Sequence, residues 1–383
     1  MAAITLHLDF ETRSRTDLSV RGLDNYCDDP STQVLMMAWA VNDASPQVWF
    51  PATGPMPEQI ELLIRRNEIL KTAFNAEFER TILKRILHID TPAGAWADPM
   101  IWARHASIAG DLAFVGEVLG LSEDKKKSAD GRRLIKLFCE PAKRKKKDPP
   151  GMPEFNDSTT YPEDWAKFVE YCKQDVIAER ELFYKLKAFA LPPDEVAMYA
   201  LDQEINERGL PIDMDFVAKA SKIVEEERSE LMAGMRALTG LENPNSTQQL
   251  LGYLKTQQYA FNSLGAKWVT KALGDVANEL TEGGKRALRF RQQLAKSSTA
   301  KLEAISNFVC VDGRLRRQYV YGGAARTLRW SGRQAQPQNF PRPTVKKIEE
   351  ATAAILTGDR AEVRKFGSVL AVVASCLRGA IHV

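Results

Sequence analysis

The amino-acid sequence predicts an α/β domain of the α+β kind followed by a mostly helical region. Three observations carry this. Residues 4–10, 34–41 and 47–50 have strand character, and a short fourth run follows at 69–74. Helical patterns alternate with the later strands. Beyond Leu191-Pro192-Pro193 strand signals become rare and long amphipathic patterns take over.

Taken in order, 4–10 alternates apolar and polar residues, as a half-buried strand does. Residues 34–41 are almost all apolar and read as a buried strand. Asp43-Ala44-Ser45-Pro46 turns the chain into the third strand. Residues 58–66 read as a helix, 69–74 as a strand and 77–85 as a helix. From 162 to 189 the apolar residues Trp165, Phe168, Val169, Cys172, Val176 and Leu182 recur at helical spacing until the proline pair, which marks the first domain boundary. A helix at 195–208 stops at Gly209, and a long charged one covers 215–238. Ser246 or Thr247 is placed to cap a helix over 248–256. Residues 283–308 read as one long helix, and Asp312-Gly313 as a hairpin turn between 308–311 and 315–321. Helices are expected at 346–356 and 359–379. The apolar stretch 369–383 has no polar tail and is expected to be a cut inside a fold, open to a partner.

Composition excludes several classes. The 383 residues carry 53 Lys or Arg against 50 Asp or Glu, with 44% hydrophobic residues, so a disordered chain, a collagen or a coiled-coil rod is ruled out. No apolar run approaches the ~20 residues that span a bilayer, so no membrane association is expected. The N-terminus has acidic residues by position 9 and lacks a signal-peptide pattern. The five cysteines (27, 139, 172, 310 and 376) form no C-x-x-C pair, which argues against a zinc site or a disulfide framework. A reduced, cytoplasmic, soluble protein is expected.

Charge is unevenly placed. Residues 285–347 hold fifteen Lys or Arg and two acids, a net charge of +13 in a chain whose total is +3. Phe290, Phe308, Tyr319, Tyr321, Trp330 and Phe340 are interleaved with them. Cations for phosphates and rings for bases are the pattern of a nucleic-acid surface. A second basic cluster, 125–127 and 143–147, reads as an exposed loop.

Asp9 and Glu11, two apart on a strand, share one face. Two anions there repel each other unless a cation lies between them, and Mg²⁺ or Mn²⁺ prefers oxygen ligands. Glu79 opens the helix after the fourth strand, and Tyr171 and Asp175 are i, i+4 on the 162–189 helix. Four acids and a tyrosine from one strand and two helices can meet around a metal pair, which activates water and steadies a leaving phosphodiester oxygen.

These residues resemble a known family. Asp9-Phe10-Glu11-Thr12, Asn75-Ala76-Glu77-Phe78-Glu79-Arg80 and Tyr171-Cys172-Lys173-Gln174-Asp175 are similar to the three ordered motifs of the DnaQ-like, DEDDy-type 3′→5′ exonucleases. The resemblance implies an RNase H-like fold with a mixed five-stranded sheet. It implies two Mg²⁺ (or Mn²⁺) ions held by Asp9, Glu11, Glu79 and Asp175, with Tyr171 orienting the attacking water. The family usually has Asp where Glu79 stands. Residues 98–121 resemble the helix pair between the second and third motifs.

The remainder resembles family A DNA polymerases. Residues 204–213, 243–250 and 294–302 are similar to thumb segments, the last being the helix that grips the primer backbone with Lys296 and Lys301. Thr327-Leu328-Arg329-Trp330-Ser331 and Pro337-Gln338-Asn339-Phe340-Pro341 resemble the "TGRLS…PNLQNIP" stretch, with Leu328 in place of the usual glycine. The resemblance implies DNA contacts by Arg329, Gln338 and Asn339 in the minor groove, and the basic segment adds Arg326 and Arg333. It divides the chain into an exonuclease domain (1–191), a thumb-like region (192–308) and a thumb–palm junction with the start of a palm (309–383). No D-Y-S-x-I-E-x-R segment, K-x₆-Y-G helix or H-D-E appears. The expected activity is therefore proofreading hydrolysis on DNA, with synthesis only beside a palm-and-fingers partner chain. A free-standing exonuclease with a basic DNA clamp and a non-catalytic DNA-binding protein are the alternatives.

Overall fold

The computed structural model describes residues 4–122, 130–143, 151, 153–274, 279–294, 299–324 and 327–382. They form two compact units, the first of residues 1–209 with 308–333 and the second of 210–307 with 334–383.

The first unit is built on a five-stranded sheet of order β3-β2-β1-β4-β5. Its strands are β1 (Thr5–Arg13), β2 (Gln33–Val41), β3 (Gln47–Trp49), β4 (Leu70–Thr72) and β5 (Trp96–Ala97). β1 pairs antiparallel with β2 and parallel with β4, so the sheet is mixed, as expected. A bulge between Glu11 and Thr12 shifts the β1–β2 register. Helices α1 (Leu18–Arg21), α2 (Leu23–Asp28), α3 (Glu58–Arg65), α4 (Glu77–Arg85), α5 (Pro99–His105), α6 (Leu112–Val118), α7 (Gly131–Phe138), α8 (Pro162–Leu186) and α9 (Pro193–Arg208) complete it.

β1 shows why the sheet is two-faced. Leu6, Leu8 and Phe10 enter a core with Ile64, Ile82 and Leu83 of α3 and α4. The alternate residues His7, Asp9 and Glu11 face the other way. On β2, Met36, Ala38 and Ala40 pack with Phe168, Tyr171, Cys172 and Val176 of α8 on that second face.

The later part departs from the sequence reading. Residues 308–311 and 315–321 do not form a long hairpin. One bridge joins Val309 to Leu315, and the extended pair is Tyr319–Val320 with Ser331–Gly332. The cause is Arg317, whose backbone is left-handed (φ 57°) and whose buried guanidinium lies 2.9 Å from Asp24 and 3.1 Å from Glu77. That double ion pair and its strained backbone break the strand.

In the second unit, α10 (Met214–Thr239) is capped by Asp213, whose side chain accepts from the Phe216 amide, and ends at Gly240 in the left-handed region. α11 (Thr247–Thr256) is capped by Ser246, and α12 (Ala266–Gly274), α13 (Glu282–Leu294) and α14 (Thr299–Phe308) follow. Helix is described at both ends of the expected 283–308 span, and its residues 295–298 lie outside the described residues. α15 (Ile348–Leu356) matches the helix expected at 346–356, while α16 (Arg360–Arg364) and α17 (Val369–Cys376) replace the single helix expected from 359. Gly367, at φ 132°, separates the last two.

Val369, Leu370, Val372, Val373 and Leu377 are buried. α17 lies against α10 and α15, so its apolar face is covered inside the unit and is not the open partner surface expected. No described helix is long and apolar enough to cross a membrane.

Candidate active site

β1 and α8 bring together most of the residues singled out in the sequence. His7 and Cys172 fix the alignment. His7 Nδ1 lies 2.7 Å from Glu179 Oε2, while the Cys172 thiol lies 3.4 Å from Asp9 Oδ2. α8 therefore runs antiparallel to β1, which sets Tyr171, Cys172 and Asp175 against Asp9 and Glu11. Ligand atoms of Asp9, Glu11 and Cys172 all lie within 4.8 Å of one another. At the end of α7, Cys139 reaches Glu11 Oε2 at 4.0 Å.

Tyr171 is buried, stacked on Phe168, and its hydroxyl is hydrogen-bonded to Asp175. Its pKa is raised, first by burial and then by the charges of Asp175, Glu11 and Asp9. The ring occupies the space above Gly131. A Cβ there would stand 2.2 Å from Tyr171 Cε2.

Glu79 comes from α4. The turn that presents it is held by Asp98, which accepts from the amides of Asn75 (3.0 Å), Ala76 (3.1 Å) and Met100 (2.9 Å). Asn75 adopts the left-handed conformation (φ 75°) that asparagine tolerates. Burial pushes the Asp98 carboxyl up to about 6, against the pull of those amides. Glu79 itself is buried, and its Oε2 has no hydrogen-bond partner among the described residues. Burial, and next the charge of Asp9, holds its pKa well above the ordinary carboxylate value.

The site is therefore over-supplied with anions. Burial and then Asp9 also push up the Cys172 thiol, and burial and then Glu11 push up that of Cys139. Glu79, Tyr171, Cys172 and Cys139 are each costly to charge among these carboxylates, and the compensation they lack is positive. An orphaned buried carboxylate oxygen amid other carboxylates fits a divalent cation with oxygen ligands.

A cleft of ≈480 Å³ opens beside the carboxylates, with Asp9, Asp175, Phe74, Met100, Arg104 and Arg333 in its walls. Sequence reasoning missed Asp98, the two cysteines and Arg104. An Asp before proline at the start of 98–121 was the one available signal for Asp98 as a cap.

The residues expected on DNA divide between the units. Arg329 is exposed and Arg333 half-buried in the first. Lys301 lies in α14, and Gln338 and Asn339 are exposed on a short 3₁₀ turn (Pro337–Asn339) of the second. Lys296 and Arg326, with most of the 125–127 and 143–147 cluster, lie outside the described residues. Leu328 retains the left-handed backbone (φ 52°) that suits the glycine it replaces. Glu77, two residues from Glu79, is occupied elsewhere. It pairs with Arg317 and with Arg333 at 3.0 Å, and these cations lower its pKa despite burial.

No protein-family model matches the sequence. A DNA polymerase of Bacillus phage SP02 is 33% identical over 381 residues, which is 98% of this chain and 57% of the relative. The polymerase domain of Pol1 from M. smegmatis, solved in complex with DNA primer-template and dNTP, shares the fold. Its TM-score is 0.54 at 13% identity, covering 90% of this chain and 53% of that one. The chain spans about half the length of each. Along nearly its whole length the chain is thus similar to a phage DNA polymerase, and it shares the fold of a Pol1 polymerase domain.

Proposed function

We propose that these residues are the 3′→5′ exonuclease (proofreading) and DNA-gripping portion of a family A DNA polymerase, acting in DNA replication in the cytoplasm of a bacterial or phage-infected host. The observation that supports this most is the convergence of Asp9, Glu11 and Asp175 at the edge of one cleft, with Glu79, whose Oε2 has no hydrogen-bond partner among the described residues, close enough to feel the charge of Asp9. In this reading residues 1–191 hold the exonuclease, 192–308 the thumb-like region and 309–383 the junction and start of a palm.

Asp9, Glu11, Glu79 and Asp175 would hold two Mg²⁺ or Mn²⁺ ions, which supply water activation and stabilisation of the leaving oxygen. Tyr171, kept protonated by its surroundings, can donate or accept at the attacking water and orient it. Phe74, Met100 and Leu112 give the cleft an apolar wall for a terminal base. Templated synthesis needs palm carboxylates that these 383 residues do not contain. They would come from further sequence on the same polypeptide or from a palm-and-fingers partner chain. Relatedness to a DNA polymerase supports DNA as the ligand.

The test is digestion of a 5′-labelled single strand with Mg²⁺ or Mn²⁺. Asp9→Ala combined with Glu11→Ala should abolish shortening from the 3′ end while DNA binding stays nearly intact. Undiminished digestion by that double variant would overturn the assignment.

A further inference from the structure

We propose that Arg104 and Arg333 form a phosphate clamp in the cleft beside the carboxylates, gripping the backbone of the strand whose 3′ end is hydrolysed. The inference rests on the hydrolytic reading above and adds how the substrate is held. It also places Arg333 in the hydrolytic cleft and not in the primer grip its sequence neighbourhood suggests.

The two guanidiniums line the same cleft as Asp9 and Asp175. Arg104 has little to hold it. Its Nη1 is 3.4 Å from the Tyr321 carbonyl and its Nη2 is 3.4 Å from the Met100 sulfur. No ion pair of Arg104 is present among the described residues. The acid that acts on it most, Asp98, is already committed to three backbone amides. Burial first, and the charge of Arg333 among the other influences, makes its own charge unfavourable. Arg333 spends Nη1 on Glu77 at 3.0 Å, while its Nε is buried with no partner among the described residues.

Two like charges share one cleft, each with donors unspent. A bound anion would offset both their repulsion and their desolvation. A phosphodiester suits them, because the planar guanidinium fork matches phosphate oxygens. The division of labour is chemical. Carboxylates take the cations at the scissile bond, and arginines take the phosphates behind it. Arg333 reaches this place because Ser331–Gly332 pairs with Tyr319–Val320 and the Glu77 ion pairs tie this segment to α4.

The experiment measures binding of a 5′-labelled single-stranded oligonucleotide to the full chain in EDTA, where hydrolysis is stopped. Arg104→Gln and Arg333→Gln should each weaken binding about tenfold. Each should also lower the slope of log K against log salt by about 0.7, one phosphate contact on a single strand. Methylphosphonates at the last two linkages should weaken wild-type binding similarly and cost the double variant nothing further. With Mn²⁺ present, KM should rise more than kcat falls, and Arg333→Lys should recover part of the loss.

Wild-type binding and an unchanged salt slope in folded single and double variants would overturn the clamp. If losing the Glu77 pair unfolds Arg333→Gln, Arg104→Gln decides alone, having no ion pair to break. A wild-type chain that binds through these arginines but leaves DNA intact with Mg²⁺ or Mn²⁺ would overturn the hydrolytic reading and uphold the clamp.

Discussion

At the scale of single residues, Glu79 concentrates the cost of the site. Its pKa is raised in the folded chain, so above the ordinary carboxylate value folding must either bury a charge or take up a proton. Both options lower stability at neutral pH. Glu79→Gln removes the charge, so the variant should melt above the wild type in EDTA. Metal reverses the sign, because an ionised carboxylate is what a divalent ion needs. At Mn²⁺ concentrations a hundred times its Kd the wild type should gain about 2.7 kcal/mol, and the variant clearly less. Calorimetry with and without Mn²⁺ reads both. A variant that melts lower in EDTA and gains as much from Mn²⁺ would show Glu79 to be an ordinary buried residue.

At the scale of elements, two short pieces of backbone carry consequences out of proportion to their length. α7 begins at Gly131 because the Tyr171 ring fills the space a side chain would need. Gly131→Ala improves helix propensity, so any loss must come from the displaced ring. Overpacking of this kind costs about 1–3 kcal/mol. Strand shortening should fall at least tenfold, toward the level of Tyr171→Phe, while the far-ultraviolet helical signal persists. The turn at Asp312-Gly313 is held by Arg316, whose Nη1 and Nη2 lie 2.8 and 2.7 Å from the two Asp312 oxygens. Chiefly through that hydrogen-bonded pair, the Asp312 pKa falls to about 2. A depressed carboxylate stabilises above its unfolded value and loses the contribution as pH falls through the folded one. Melting of the wild type should exceed that of Asp312→Asn by a constant margin above about pH 4, narrowing toward pH 2. A margin that stays flat through that window would dismiss the pair as a contributor. The carboxylate is half-exposed, so the margin is small.

At the scale of the molecule, the basic segment is less available than its net charge of +13 suggests. Arg316, Arg317 and Arg333 face Asp312, Asp24 and Glu77, and Arg314 is fixed on the carbonyls of Arg208 and Gly209. Those cations build the first unit. Arg286 and Arg289 of α13 are exposed opposite the buried Ala287 and Leu288, and carry no such commitment to a carboxylate among the described residues. Binding of primer-template should therefore keep a steep salt dependence that Arg286→Gln and Arg289→Gln each flatten by about 0.9 in log–log slope. An unchanged slope in the double variant would move the DNA surface away from α13.

The linear sequence was enough for the site features that depend on local periodicity or on short motifs. The alternation of β1 put Asp9 and Glu11 on one face, helical spacing put Tyr171 and Asp175 together, and the cap expected at Ser246 or Thr247 is Ser246. Side chains of an isolated strand or helix have fixed directions, so such facts are legible before folding. What the sequence could not decide were partnerships across long separations. Cys172 beside Asp9, Asp98 holding the Glu79 turn, and Arg317 between Asp24 and Glu77 each depend on how separate elements pack. The same holds for α17, whose apolar face read as an open interface because a sequence shows that a side chain is apolar and not what covers it. Burial and charge pairing are properties of the packed chain, and there the tertiary structure alone chose which arginines build the fold and which line the cleft.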